Sequence, residues 1–161
     1  MAGADKPEFP PIFPPGFHRH DVASLRRVCV DAFPASFTRA RIMGRFETLI
    51  DLINQTRMVG NIWVDGSFLT QKLNPDDVDL LLVIDISDYR RMDAAQLQFF
   101  NWFRTNTFNE THKCDNYGII MDRNHPMGEW NYAYWLKQFG FSRSGDMKGM
   151  ATIAVPFVVS P

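Results

Sequence analysis

Cysteine is scarce in this 161-residue chain. Cys29 and Cys114 stand far apart, and neither opens a Cys-x-x-Cys pair. That excludes a disulfide framework and a cysteine-paired zinc site, and it fits a reduced, cytoplasmic protein. Excess charge is missing too: 17 Lys and Arg face 18 Asp and Glu, for a formal net charge of −1. The basic footprint that long DNA or RNA selects is therefore absent; a nucleotide or a short RNA end stays compatible. No apolar run is long enough to span a bilayer. The opening Met1-Ala2-Gly3-Ala4-Asp5-Lys6 lacks the basic segment and apolar core of a secretory signal. His18, His20, His112 and His125 do not pair at metal-ligand spacing and read as surface residues.

What the chain does have is a hydrophobic content of 45% and a charged content of 22%, the balance of a globular domain able to bury a core. Residues 1–20 read as a proline-rich N-terminal arm and 21–161 as one domain. Pro7, Pro10, Pro11, Pro14 and Pro15 alternate with Phe9, Phe13 and Phe17. Proline removes backbone donors and fixes φ, so the segment is expected to be extended, strapped over the core or offered to a partner. Asp21 is placed to cap a helix through Val22, Leu25 and Cys29 that Pro34 stops. Ser36 opens a longer helix with Ile42, Met43, Phe46, Leu49, Ile50 and Ile53 on one stripe. Arg39, Arg41 and Arg45 fall mostly off that stripe and read as a solvated face, with a phosphate contact open to one of them.

Val59 to Val64 and Val78 to Ile86 read as strands, the second apolar enough to be covered on both faces. A helix is expected from a cap at Ser87 or Asp88 to about Arg104. Cys114 to Met121 is a third strand, Trp130 to Phe139 an aromatic helix ended by Gly140, and Met150 to Val159 a closing strand. The fold class is α/β (α+β), a mixed sheet with helices packed on it. Trp130, Tyr132, Tyr134 and Trp135 cover more than one helix face, so they serve packing, a base-stacking wall or a partner surface.

The chemistry is concentrated in Asp65-Gly66-Ser67 and Asp76-Asp77-Val78-Asp79. Alternation along a strand points Asp77 and Asp79 to the same side. Two carboxylates so placed repel, and a hard divalent cation such as Mg²⁺ or Mn²⁺ relieves the repulsion, completing its shell with water and substrate phosphates. Gly66 lets a phosphate approach the backbone, Ser67 adds a hydroxyl and an N–H, and a helix starting there would add positive partial charge. Asp65 shapes the turn or helps bind metal, the turn being the simpler role, and Asp76 reads as a turn residue. Lys72, and Lys148 in its glycine-flanked loop, reach a phosphate or stay solvated. Cys114 reads as a buried small residue, with no histidine placed to activate it.

Gly66-Ser67, nine intervening residues and Asp77-Val78-Asp79 resemble the signature of the DNA polymerase β-type nucleotidyltransferase superfamily. Asp65, between Val64 and Gly66, departs from its strict form. Ile62 to Phe68 with Lys72, Pro75 and Asp77 to Leu80 is similar to a poorly characterised nucleotidyltransferase-like family of small bacterial and phage proteins. Pro14-Pro15-Gly16-Phe17 and Met147-Lys148-Gly149 also fit that group. The resemblance implies the minimal nucleotidyltransferase fold and transfer of a nucleoside monophosphate from an NTP, ATP by default, to a hydroxyl on protein, RNA or a small molecule. It also implies a place for some members in toxin–antitoxin or phage-defence pairs, with a protein partner encoded nearby. It assigns Asp77 and Asp79 to the metal and Gly66, Ser67, Lys72 and Lys148 to the phosphates. A third acid is drawn from a later strand as metal ligand and general base. Asp115 is the choice, with Asp122 as the alternative. The rival reading keeps the fold and loses the chemistry, leaving a binding module such as an antitoxin or regulatory partner; an RNA-end-modifying enzyme is a third.

Overall fold

The computed structural model describes residues 6–159; Met1 to Asp5, over which the absence of a secretory signal is read, and the last two residues of the stretch read as one domain lie outside them. The fold is a five-stranded mixed sheet with helices on both faces. Strand β1 (Gly16–Arg19) leads to helix α1 (Val22–Arg26), whose last turns widen into a π-helical segment at Arg27–Asp31. Asp21 caps α1 as expected, in a reciprocal box with Ser24. Helix α2 (Arg39–Gln55) follows, then β2 (Gly60–Asp65), a 3₁₀ turn (Ser67–Leu69) and β3 (Val78–Asp85). The remainder is α3 (Ile86–Tyr89), α4 (Ala94–Thr105), α5 (Asn109–His112), β4 (Cys114–Met121), α6 (Gly128–Gly140) and β5 (Gly149–Val155).

The strand order is β1-β5-β2-β3-β4, parallel at both outer pairs and antiparallel at the two inner ones. Central β2 and β3 are covered on both faces, as their unbroken apolar runs require. Ile62, Val64, Leu80, Leu82 and Ile84 point to the larger core, where the α2 stripe (Ile42, Met43, Phe46, Leu49, Ile50, Ile53) joins Leu25, Cys29, Phe100 and Phe103. Trp63 and Leu81 point the other way, to a smaller cluster under α6 with Phe139 and Met150. Each fully buried side chain of this size stabilises the fold by about 1.5–3 kcal/mol.

Three readings change. The extended N-terminal segment straps the core through Ile12 and Phe13. Its end, Gly16–Arg19, also pairs in parallel with Gly149 to Thr152, so the sheet begins inside the residues read as an arm. The helix expected from Ser87 to Arg104 is two. Asp85 caps α3, and Asp93 restarts the chain as α4 in a capping box with Gln96. Helix formation follows the second cap because Asp-x-x-Gln satisfies two N-terminal donors at once. Arg39 is not on a solvated face: it is 0% exposed. Its guanidinium donates to the carbonyls of Cys29 (2.8 Å), Phe68 (2.7 Å), Thr70 (2.7 Å) and Lys72 (2.6 Å). It also lies 3.7 Å from the ring centre of Phe33. A planar fork of five donors is the one side chain able to bind so many carbonyls at once. Arg39 thereby fixes the segment after Ser67 to α2.

Candidate active site

Two registers build the site. Asp65 at the end of β2 is opposite Asp79 of β3, and Asp79 is opposite Asp115 of β4. Register partners point to the same face, so the three carboxylates form a row across three adjacent strands, with roughly 4.8 Å between neighbouring strands. The next row inward on that face is Trp63, Leu81 and Tyr117, and α6 covers it. Asp77, two residues ahead of Asp79, accepts a hydrogen bond at 2.9 Å from Asn109 Nδ2 at the start of α5.

Burial decreases along the row: Asp65 is buried, Asp79 half-buried and Asp115 exposed. Lys148, just ahead of β5, places its ammonium 2.7 Å from Asp65 Oδ2. Asp65 Oδ1 is buried with no hydrogen-bond partner. Burial pushes the Asp65 carboxyl up to about 6, against the pull of Lys148. Asp79 is pushed further, to about 7, by burial first and then by the charges of Asp65, Asp77 and Asp115, with Lys148 opposing. Burial and crowding therefore disfavour full ionisation of the row, and a bound proton or a further cation would relieve it.

Gly66 sits against this row. Its φ of +89° and ψ of −171° belong to a region essentially restricted to glycine. A Cβ there would lie 2.9 Å from Asp79 Oδ2 and 3.2 Å from the Asp79 nitrogen. Glycine is required both for the bend and for the approach of backbone to carboxylate. Ser67 opens a single 3₁₀ turn, its carbonyl accepting from Thr70 N at 3.2 Å and Thr70 Oγ1 at 2.7 Å. Of the short helix or turn open to the segment after Ser67, the structure has the turn, so no α-helix dipole is aimed at the site; anion contact there would rest on the backbone of the bend.

The other expectations divide. Asp122 lies beyond the opposite end of β4, roughly 23 Å along the strand from Asp115, and its Oδ1 caps the turn by accepting from Asn124 N at 3.0 Å. Asp115, not Asp122, joins the row. Lys148 does reach the acids, through Asp65. Lys72 is engaged elsewhere: its ammonium pairs with Asp76 at 3.2 Å, and its carbonyl is held by Arg39. Cys114 is buried, its thiol pushed up to about 12 by burial, which suits packing and not nucleophilic chemistry. Of the aromatic helix, Trp130 and Tyr134 are exposed, whereas Tyr132 and Trp135 pack beside the smaller core.

Sequence reasoning gave Asp65 to the turn first; its pairing with Lys148 and with the Asp79 register makes it part of the acidic cluster. The readable signal was its parity with Trp63. Asn109 and Tyr117 were missed. Tyr117 follows Asp115 by two residues, so strand alternation places it on the same face, with its hydroxyl 3.4 Å from Asp115 Oδ2.

Among the described residues no group of three or more His, Cys, Asp or Glu side chains is arranged to hold a metal ion. By donor chemistry alone, one or two of these carboxylates are hard oxygen donors of the kind that Mg²⁺ or Mn²⁺ takes. Mg²⁺ takes one or two protein carboxylates and draws its other ligands from water and phosphate.

Neither the curated proteins nor the solved structures contain a match to this chain. Over residues 7–154, from the strap through the acidic row to the last strand, the sequence matches the family of unknown function DUF6932, and the chain belongs to that family.

Proposed function

We propose that this protein is a metal-dependent nucleotidyltransferase that moves a nucleoside monophosphate from an NTP to a hydroxyl acceptor on protein, RNA or a small molecule. ATP is the default donor. The observation that carries the reading is the register-matched row Asp65-Asp79-Asp115 beside Gly66. Asp77 and Asp79 would hold Mg²⁺ or Mn²⁺, with Asp115 completing the set. A bound divalent cation neutralises phosphate charge and acidifies a hydroxyl coordinated to it. Asp115, the most exposed of the row, is placed to accept the acceptor's proton. The bend at Gly66 and Ser67 lets the β- and γ-phosphates approach backbone N–H groups. Lys148 keeps the buried Asp65 charged and brings a cation to the phosphate side.

The test is incubation with each α-labelled NTP, Mg²⁺ or Mn²⁺ and a total lysate, with Asp77→Ala and Asp79→Ala alongside. Label is expected from the wild type and not from the variants. Transfer by both variants at the wild-type rate refutes the assignment.

The second reading, a binding module that pairs with a protein encoded nearby, is favoured by the exposed Trp130 and Tyr134 on α6, 73% and 56% accessible. Calorimetry separates the two. Nucleotide binding that requires Mg²⁺ supports the enzyme; tight association with a neighbouring gene product and no nucleotide binding supports the module.

A further inference from the structure

Tyr117 carries a hydroxyl that already lies against the acid assigned to proton acceptance. It stands in β4 two residues beyond Asp115 and opposite Leu81, which fixes its side chain on the carboxylate face. Its phenol is within reach of Asp115 Oδ2, at 3.4 Å. Catalytic hydrogen bonds of this length in a ligand-free site are known to tighten when substrate binds. The ring is braced by Trp135, centroid to centroid 5.0 Å, and the residue is still 40% exposed. Tyr117 is thus anchored at one side, open at the other, and a member of the row next to Asp115 and Asp79. Nothing else in the proposed chemistry uses it.

We propose that Tyr117 is an acceptor in cis, a site of self-nucleotidylylation by this protein. The inference rests on the nucleotidyl-transfer reading. In the step, the phenol oxygen of Tyr117 forms a bond to the α-phosphorus of the bound NTP. The bond from that phosphorus to the bridging oxygen breaks, pyrophosphate leaves with the electron pair, and the phenolic proton passes to Asp115. The product is a tyrosyl phosphodiester of the nucleoside monophosphate, located over Asp115 on the acceptor side. The reaction requires neither oxidant nor reductant. A hydroxyl held beside its base has the advantage of proximity over any acceptor that must diffuse in.

The experiment uses the purified full chain with each NTP and Mg²⁺ or Mn²⁺, followed by intact mass and peptide mapping. A single nucleoside monophosphate is expected on Tyr117. It is lost in Tyr117→Phe and kept in Tyr134→Phe, which removes the neighbouring exposed hydroxyl. A second readout is independent of turnover: nitration of Tyr117 by tetranitromethane is expected to slow several-fold with Mg²⁺ and an α,β-methylene NTP. Label mapping to another residue, nitration unaffected by nucleotide, or labelled lysate acceptors with an unlabelled enzyme would each overturn the proposal while leaving nucleotidyl transfer standing. No incorporation into any acceptor overturns both.

Discussion

Replacing Asp79 with asparagine should stabilise the metal-free protein, although it removes a residue assigned to the heart of the site. Burial and the charges of Asp65, Asp77 and Asp115 move the Asp79 carboxyl from 3.8 to about 7. A rise of roughly three units at 1.36 kcal/mol each places about 4 kcal/mol of strain in the folded state when the group is ionised. Relaxation of the strand tip and the coupled titration of Asp65 reduce this, so a gain of about 2–4 kcal/mol is expected. The sign follows from proton binding. Between pH 3.8 and 7 the folded chain holds a proton that the unfolded chain has released. Wild-type stability therefore falls as pH rises through that window and is flat above it. Asp79→Asn has no such proton to lose. Its advantage should be small at about pH 4, where Asp79 is neutral in the folded chain and only about half ionised in the unfolded one, and full at about pH 8. Urea unfolding in EDTA at the two pH values measures it, and thermal melts should show a rise of roughly 5–15 °C at the higher pH. Mg²⁺ should reverse the order, since a cation that binds only the native wild type stabilises it by mass action. A variant less stable than wild type at pH 8 in EDTA, or equally shifted at both pH values, would refute the reasoning.

Arg39→Met should lower stability by about 3–5 kcal/mol, because three buried carbonyls and the partly buried one of Lys72 lose their donor together. A loss under about 1 kcal/mol by urea unfolding would show that water or backbone relaxation replaces the guanidinium. Gly66→Ala should destabilise by about 2–4 kcal/mol, from the positive φ and from displacement of Asp79. Mg²⁺-dependent nucleotide binding should fall with it. A wild-type melting temperature and unchanged calorimetric binding would remove the bend from the site.

The elements that the sequence made legible are those whose signal is local. The α2 stripe, the buried run of β3, the Asp21 cap and the aromatic helix all follow from spacing along the chain, and all are present. So is the mixed-sheet architecture. The β1 pairing was not legible, because Phe17-His18-Arg19 has neither the length nor the alternation of a strand and is held by partners more than 130 positions away. Arg39 was misread for a related reason. Helical periodicity places a residue on a face, but only the packed structure shows that the loop after Ser67 folds over that face and presents four carbonyls.

The same division runs through the site. Local chemistry singles out Gly66, Asp77 and Asp79 as candidates: a glycine that lets another group approach the backbone, here the Asp79 carboxylate, and two like charges that alternation points to one side. Which later acid joins them was decided by the parallel register of β3 on β4, which sets Asp115 beside Asp79 and leaves Asp122 at the far end of the strand. Whether Lys148 matters was decided by the return of β5 next to β2, which brings its ammonium to Asp65. Sequence determines what each short segment prefers, because those preferences arise from neighbours a few bonds away. Only the tertiary structure decides which charges meet, because electrostatic interaction depends on distance in space, and the sheet sets those distances.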